Sequence, residues 1–139
     1  MEIGKEVEIS KTITEEDVRK FVEISGDDNP IHLDEEFAKR TLYRGRIAHG
    51  LLSLGLVSAA LTKLFGPGNI WINQTFSFTK PIHVGDTITA KLKIIEIDKR
   101  KVCIVETLVY NQNGALVLEG KAESKVAYIK KKWKLPNFG

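Results

Sequence analysis

A single cysteine, Cys103, stands among 139 residues, and proline occurs only four times. One thiol excludes a disulfide within the chain and any zinc site built on a CxxC pair. No apolar run reaches the ~20 residues that a bilayer-spanning helix requires. The first twenty residues, MEIGKEVEISKTITEEDVRK, contain no apolar secretory segment, so the chain is expected in the cytoplasm. Neither H-x-x-x-H nor H-E-x-x-H occurs, and the glycines form no P-loop and no G-x-G-x-x-G turn. Asp27, Asp28 and His32 alone fall short of a metal-ligand set. With 42% hydrophobic and 28% charged residues, the composition excludes extended disorder, and the length suits one domain.

The net charge of +3 is unevenly placed. Residues 121–139 hold six lysines against one glutamate, so the rest of the chain is slightly acidic. A basic run with an aromatic, IKKKWK at residues 129–134, suits a solvated terminus or contact with phosphates. A nucleic-acid domain would spread its basic groups over a face, so neither nucleic acid nor membrane is expected as a partner.

Helical period governs the first half. Thr14 followed by Glu15, Glu16 and Asp17 reads as an N-cap with acids in the first turn. Val18, Phe21 and Val22 continue at helical spacing and predict a helix over residues 15–24, after a short strand at residues 6–12. The turn-forming SGDDNP at residues 25–30 ends that helix, and a second short one is expected over residues 34–40. Residues 51–65 are apolar nearly all round, which predicts a central helix buried on every side. Beyond Gly66-Pro67-Gly68 the pattern turns to β, over residues 70–78, 87–97, 102–110 and 115–128. Asn113-Gly114 predicts a type I′ hairpin turn, and the short connections predict a meander. Antiparallel strands with one buried helix define an α+β domain over residues 1–128, followed by a basic tail, 129–139.

The chemistry concentrates in residues 25–32, SGDDNPIH. On one continuous helix Asp27 and His32 would sit about 140° apart and could not converge. Pro30 forbids helix at Asn29, so the chain turns there, and a turn can set a carboxylate and an imidazole around one water. Such a pair can pass protons in both directions. The same spacing also suits a turn-capping aspartate and a structural histidine. At His49-Gly50 a helix begins, with unpaired N–H groups and a positive dipole end that suit an oxyanion. His83 is expected at the surface. Ser58 lacks a nucleophile-elbow context and reads as a helix hydroxyl bonded to backbone.

Together these stretches resemble the MaoC-like, hydratase-2 family of hot-dog folds, in particular the short (R)-specific enoyl-CoA hydratases. The resemblance rests on SGDxNPIH at residues 25–32, on RIAHGLL at residues 46–52, and on Phe76-Ser77-Phe78, Pro81 and Val84-Gly85-Asp86. It implies a curved antiparallel sheet wrapped around one buried helix. It implies that Asp27 and His32 are the catalytic pair and that the Gly50 N–H binds the thioester oxygen. Ser58 would support the pair from the central helix, and Asn29 would orient the loop or the histidine. The implied reaction is reversible hydration of a trans-2-enoyl-CoA to an (R)-3-hydroxyacyl-CoA, without metal or redox cofactor, by a homodimer or higher homo-oligomer. Lys130, Lys131 and Lys132 would meet the phosphates of coenzyme A. Within the same fold, a 3-hydroxyacyl-carrier-protein dehydratase or a thioesterase is the alternative, and a non-catalytic acyl-CoA binding module is a further one.

Overall fold

The computed structural model describes residues 1–127, so the basic tail with Lys130, Lys131 and Lys132 lies outside the described residues. Strand β1 (Glu6–Thr12) leads into helix α1 (Glu15–Ser25), the helical turn α2 (Pro30–Leu33), short α3 (Glu35–Lys39) and long α4 (Leu51–Phe65). Strands β2 (Asn69–Phe78), β3 (Thr87–Ile97), β4 (Cys103–Tyr110) and β5 (Leu116–Val126) follow. All pair antiparallel in one sheet of order β1-β3-β4-β5-β2.

Only β3, β4 and β5 form the expected meander. β1 and β2, neighbours in the order of strands, close opposite edges of the sheet because three helical segments and α4 separate them. α4 touches all five strands. Five strands at ~4.8 Å spacing are wider than a helix of ~10 Å, so the sheet must curl to reach it. Its inner face reads with period two: Ile88, Ala90, Leu92 and Ile94 on β3, and Cys103, Val105, Thr107 and Val109 on β4.

α4 corrects the expectation of a helix buried all round. Leu54, Val57, Leu61 and Leu64 face the sheet, while Leu51, Gly55, Ser58, Ala59 and Thr62 are exposed on the opposite side. Apolar composition alone cannot tell a face covered within the chain from one left for a second chain. The expected I′ turn is also replaced. Only Gly114 has positive φ, at 76°, and the Asn111 side chain accepts from the N–H groups of Asn113 and Ala115. One left-handed glycine after two ordinary turn residues makes a longer, bulged hairpin loop.

The helical segments that carry the motif are individually capped. Thr14 and Asp17 form a reciprocal capping box at the start of α1, and Gly26, at φ 76°, closes its end. Asp34, expected as the first residue of a helix, is the N-cap of α3, accepting from the Phe37 N–H.

Candidate active site

The segment between α1 and α2 is held by its own short side chains. The Asp27 N–H donates to Ser25 Oγ at 3.0 Å, the Asn29 N–H to Asp27 Oδ1 at 3.3 Å, and the Ile31 N–H to Asn29 Oδ1 at 3.2 Å. Each bond satisfies a backbone donor that a helix would have used, which is how serine, aspartate and asparagine stabilise turns. Asn29 therefore orients the loop: it caps α2, and its carbonyl accepts from the His32 N–H. Pro30 occupies the first helical position, where its missing N–H costs nothing.

His32 is buried, and Asp27 is about half exposed. His32 Nδ1 lies 2.6 Å from the Ile47 carbonyl oxygen. A carbonyl only accepts, so Nδ1 carries a hydrogen, and in the neutral ring the lone pair is then on Nε2. The strand-like contact of Ile47 N–H with the Ile31 carbonyl and of Ala48 N–H with the Ile82 carbonyl fixes that acceptor in place. Arg46, next in the chain, is clamped by Glu15 of α1 and Glu35 of α3.

Sequence reasoning missed one member of the cluster. His49 is 3% exposed, stacks on His32 at 3.7 Å between ring centroids, and lies against Phe21 on α1. A carboxylate oxygen of Asp27 and ring nitrogens of His32 and His49 all lie within 4.8 Å of one another. The pairing of HG with an apolar helix marked His49, but only as the neighbour of Gly50. Nothing in its spacing from residues 27–32 shows that the loop folds back over it.

Three such groups raise the question of a metal ion. The two imidazole planes are inclined by only 30° in a stack. An ion 2.0–2.1 Å from a nitrogen of each ring lies near both ring planes, and rings facing each other at 3.7 Å offer that geometry only if one of them turns. A carboxylate and imidazoles at this spacing can also pass protons.

Gly50 caps the N-terminus of α4 without a side-chain bond, and its N–H meets no protein acceptor among the described residues. His32, Gly50, Tyr43, Phe78 and Lys80 line one cleft of about 300 Å³. Gly50, whose backbone N–H is unpaired among the described residues, and His32 thus line the same space. The glycine has a second reason beyond access: a Cβ there would stand 2.7 Å from the Phe78 ring. Of the larger grooves, those of 360 and 530 Å³ cross the outward face of the sheet beside Glu106 and Leu108 and hold no imidazole, and one of 440 Å³ is lined by His83 and Arg46.

The structure also places Ser58 and His83. Ser58 is exposed on the outer side of α4, and among the described residues its side chain makes no hydrogen bond to Asp27 or His32. It shares that side with Leu51, Gly55 and Thr62, at helical spacing. His83 is half-buried rather than on the surface, bridging to Ile47, with its Nε2 3.2 Å from the Tyr43 carbonyl.

The chain is similar to known proteins along most of its length. The family model described as a MaoC like domain matches residues 1–114. An (R)-specific enoyl-CoA hydratase of Rhodospirillum rubrum is 39% identical over 120 residues, covering 86% of this chain and 83% of that one. A 3-hydroxybutyryl-CoA dehydratase of Methylorubrum extorquens is 42% identical over 129 residues, covering 91% and 81%. Among solved structures, the unliganded R-hydratase PhaJ1 from Pseudomonas aeruginosa superposes with a TM-score of 0.87 at 36% identity, covering 100% of this chain and 92% of that one.

Proposed function

The chain belongs to the MaoC-like family, and from that membership we propose that it is a hydro-lyase, an (R)-specific enoyl-CoA hydratase. It adds water reversibly to a trans-2-enoyl-CoA and yields an (R)-3-hydroxyacyl-CoA. The observation that carries this reading is the convergence of the Asp27 carboxylate and the His32 imidazole on one short span, with His32 and Gly50 lining the same cleft.

Groups up to 4.8 Å apart can share one bridging water through two ordinary hydrogen bonds. In the proposed reaction that water is held by Asp27 and the free Nε2 of His32. Its oxygen attacks C3 of the enoyl thioester while the π electrons move toward the carbonyl. Charge develops on the thioester oxygen, where the Gly50 N–H and the positive end of α4 stabilise it. One proton of the water returns, through the pair, to C2. The pair ends in its starting protonation state, so the chemistry calls for no redox cofactor and no metal.

A second copy of the chain completes the reading. The exposed side of α4 lies open, and β2 is an edge strand with Ile70, Ile72, Phe76 and Phe78 exposed. An apolar edge strand beside an apolar helix face invites pairing, and a two-fold homodimer satisfies both at once. The tail lysines Lys130, Lys131 and Lys132 remain the proposed partners of the coenzyme A phosphates.

The test is loss of the enoyl-thioester absorbance with crotonyl-CoA, followed by chiral analysis of the product. Formation of (R)-3-hydroxybutyryl-CoA is expected. Release of free thiol would make the protein a thioesterase, and turnover confined to carrier-protein thioesters would make it a dehydratase of that substrate. Binding of crotonyl-CoA without turnover would leave an acyl-CoA binding module.

A further inference from the structure

We infer that His49 is a positioning residue of this site, holding Asp27 and His32 in register from a single imidazole. This rests on the hydratase reading and deepens it.

His49 Nε2 lies 3.0 Å from the backbone carbonyl of Asp27, so Nε2 carries the hydrogen and donates it. The bond pins the loop at the residue whose carboxylate is assigned to the reacting water, across 22 positions of sequence. The ring also backs His32 at 3.7 Å, while Phe21 at 4.6 Å closes another side of it. His32 is thereby fixed twice: at its edge by the Ile47 carbonyl and across its face by His49. The next residue in the chain is Gly50. One side chain thus ties together both members of the pair and the start of the oxyanion helix.

Packing alone does not explain a histidine at this position. Its Nδ1 is buried without a hydrogen-bond partner among the described residues, and burying an unpaired nitrogen is unfavourable. A phenylalanine would fill the space between Phe21 and His32 without that penalty. What phenylalanine lacks is the Nε2–H that holds Asp27. His49 is buried and does not line the cleft that His32 lines, so it is assigned an effect through its neighbours. Misplacement of a catalytic group by about 1 Å can cost ~100-fold in rate.

Two substitutions separate the functions. His49→Phe keeps a ring against His32 and removes the donor; His49→Gln keeps an N–H donor of similar reach. With crotonyl-CoA, His49→Phe is expected to lower kcat by about tenfold or more with KM changed less than about threefold, and His49→Gln to recover part of that loss. A His49→Phe enzyme within about twofold of wild type in kcat, or a His49→Gln variant no better than it, would overturn the inference. Nitrogen NMR of histidine-labelled wild type gives a readout independent of folding of the variants and of activity. It should show His49 protonated at Nε2 and His32 at Nδ1; His49 protonated at Nδ1 alone would refute the arrangement. If wild type fails to hydrate crotonyl-CoA, the hydratase reading falls, and the NMR result still decides whether His49 holds Asp27.

Discussion

The Nδ1 of His32 sits 2.6 Å from the carbonyl oxygen of Ile47, fifteen residues along the chain. That one bond selects the tautomer and leaves Nε2 as the nitrogen able to take a proton. Ile47 holds His32 because the Ile47 N–H is itself paired with the Ile31 carbonyl and the following Ala48 N–H with Ile82. The orientation and tautomer of the imidazole are therefore set by backbone pairing between residues 25–32 and residues 46–48.

Removal of either member of the pair should abolish turnover without unfolding the protein. Asp27→Asn and His32→Ala are each expected to lose at least ~100-fold in kcat on crotonyl-CoA, about 3 kcal/mol of transition-state stabilisation. Circular dichroism should remain that of wild type. Activity within a few-fold of wild type would remove their assigned roles.

Gly50→Ala places a methyl group against the Phe78 ring at 2.7 Å. Overpacking of this kind costs roughly 1–3 kcal/mol, less where the neighbour can swing away, as the half-exposed Phe78 can. A displaced Phe78 enters the cleft, so KM should rise together with a fall in melting temperature. The double variant Gly50→Ala/Phe78→Leu should recover the stability, and a double-mutant cycle measures the coupling. Additive effects of the two changes would rule out the contact as the cause.

The outer face of α4 can be tested by a change whose sign depends on a second copy. A Cβ added at Gly55 meets nothing within 4 Å inside one chain. On a free helix surface Gly55→Leu would gain roughly 0.8–1 kcal/mol from helix propensity. At a close helix interface it should instead convert a dimer to monomer and lower activity. Sedimentation velocity distinguishes the two, and an unchanged dimer with a higher melting temperature would place the interface elsewhere.

Acid should find the capping box of α1. Partial burial pushes the Asp17 carboxyl up, but hydrogen bonds from Thr14 and the charge of Lys11 outweigh it and leave the pKa below the ordinary carboxylate value. A group depressed in the folded state contributes stability above its unfolded pKa, about 3.9, and loses it as pH falls through the folded value. Asp17→Asn should therefore cost about 1 kcal/mol near neutral pH. Below about pH 3 the difference from wild type should shrink toward zero in urea titrations. A penalty independent of pH would mean that the carboxylate charge contributes nothing.

What the sequence determined by itself lies in local rules. Pro30 forbade a continuous helix, Thr14 and Asp17 began α1, alternation on β3 and β4 exposed one sheet face to the core, and residues 25–32 carried the family motif. These follow from neighbours a few positions apart, which is the range over which steric exclusion and capping act. The tertiary structure decided what depends on distant segments meeting. It placed β1 and β2 on opposite edges, left one side of α4 uncovered and put Ser58 on that side. It also brought His49 beneath Asp27 and against His32. A hydrogen bond across 22 residues and a pair of facing rings have no period to betray them, because they arise only when the loop after α1 folds back onto the start of α4.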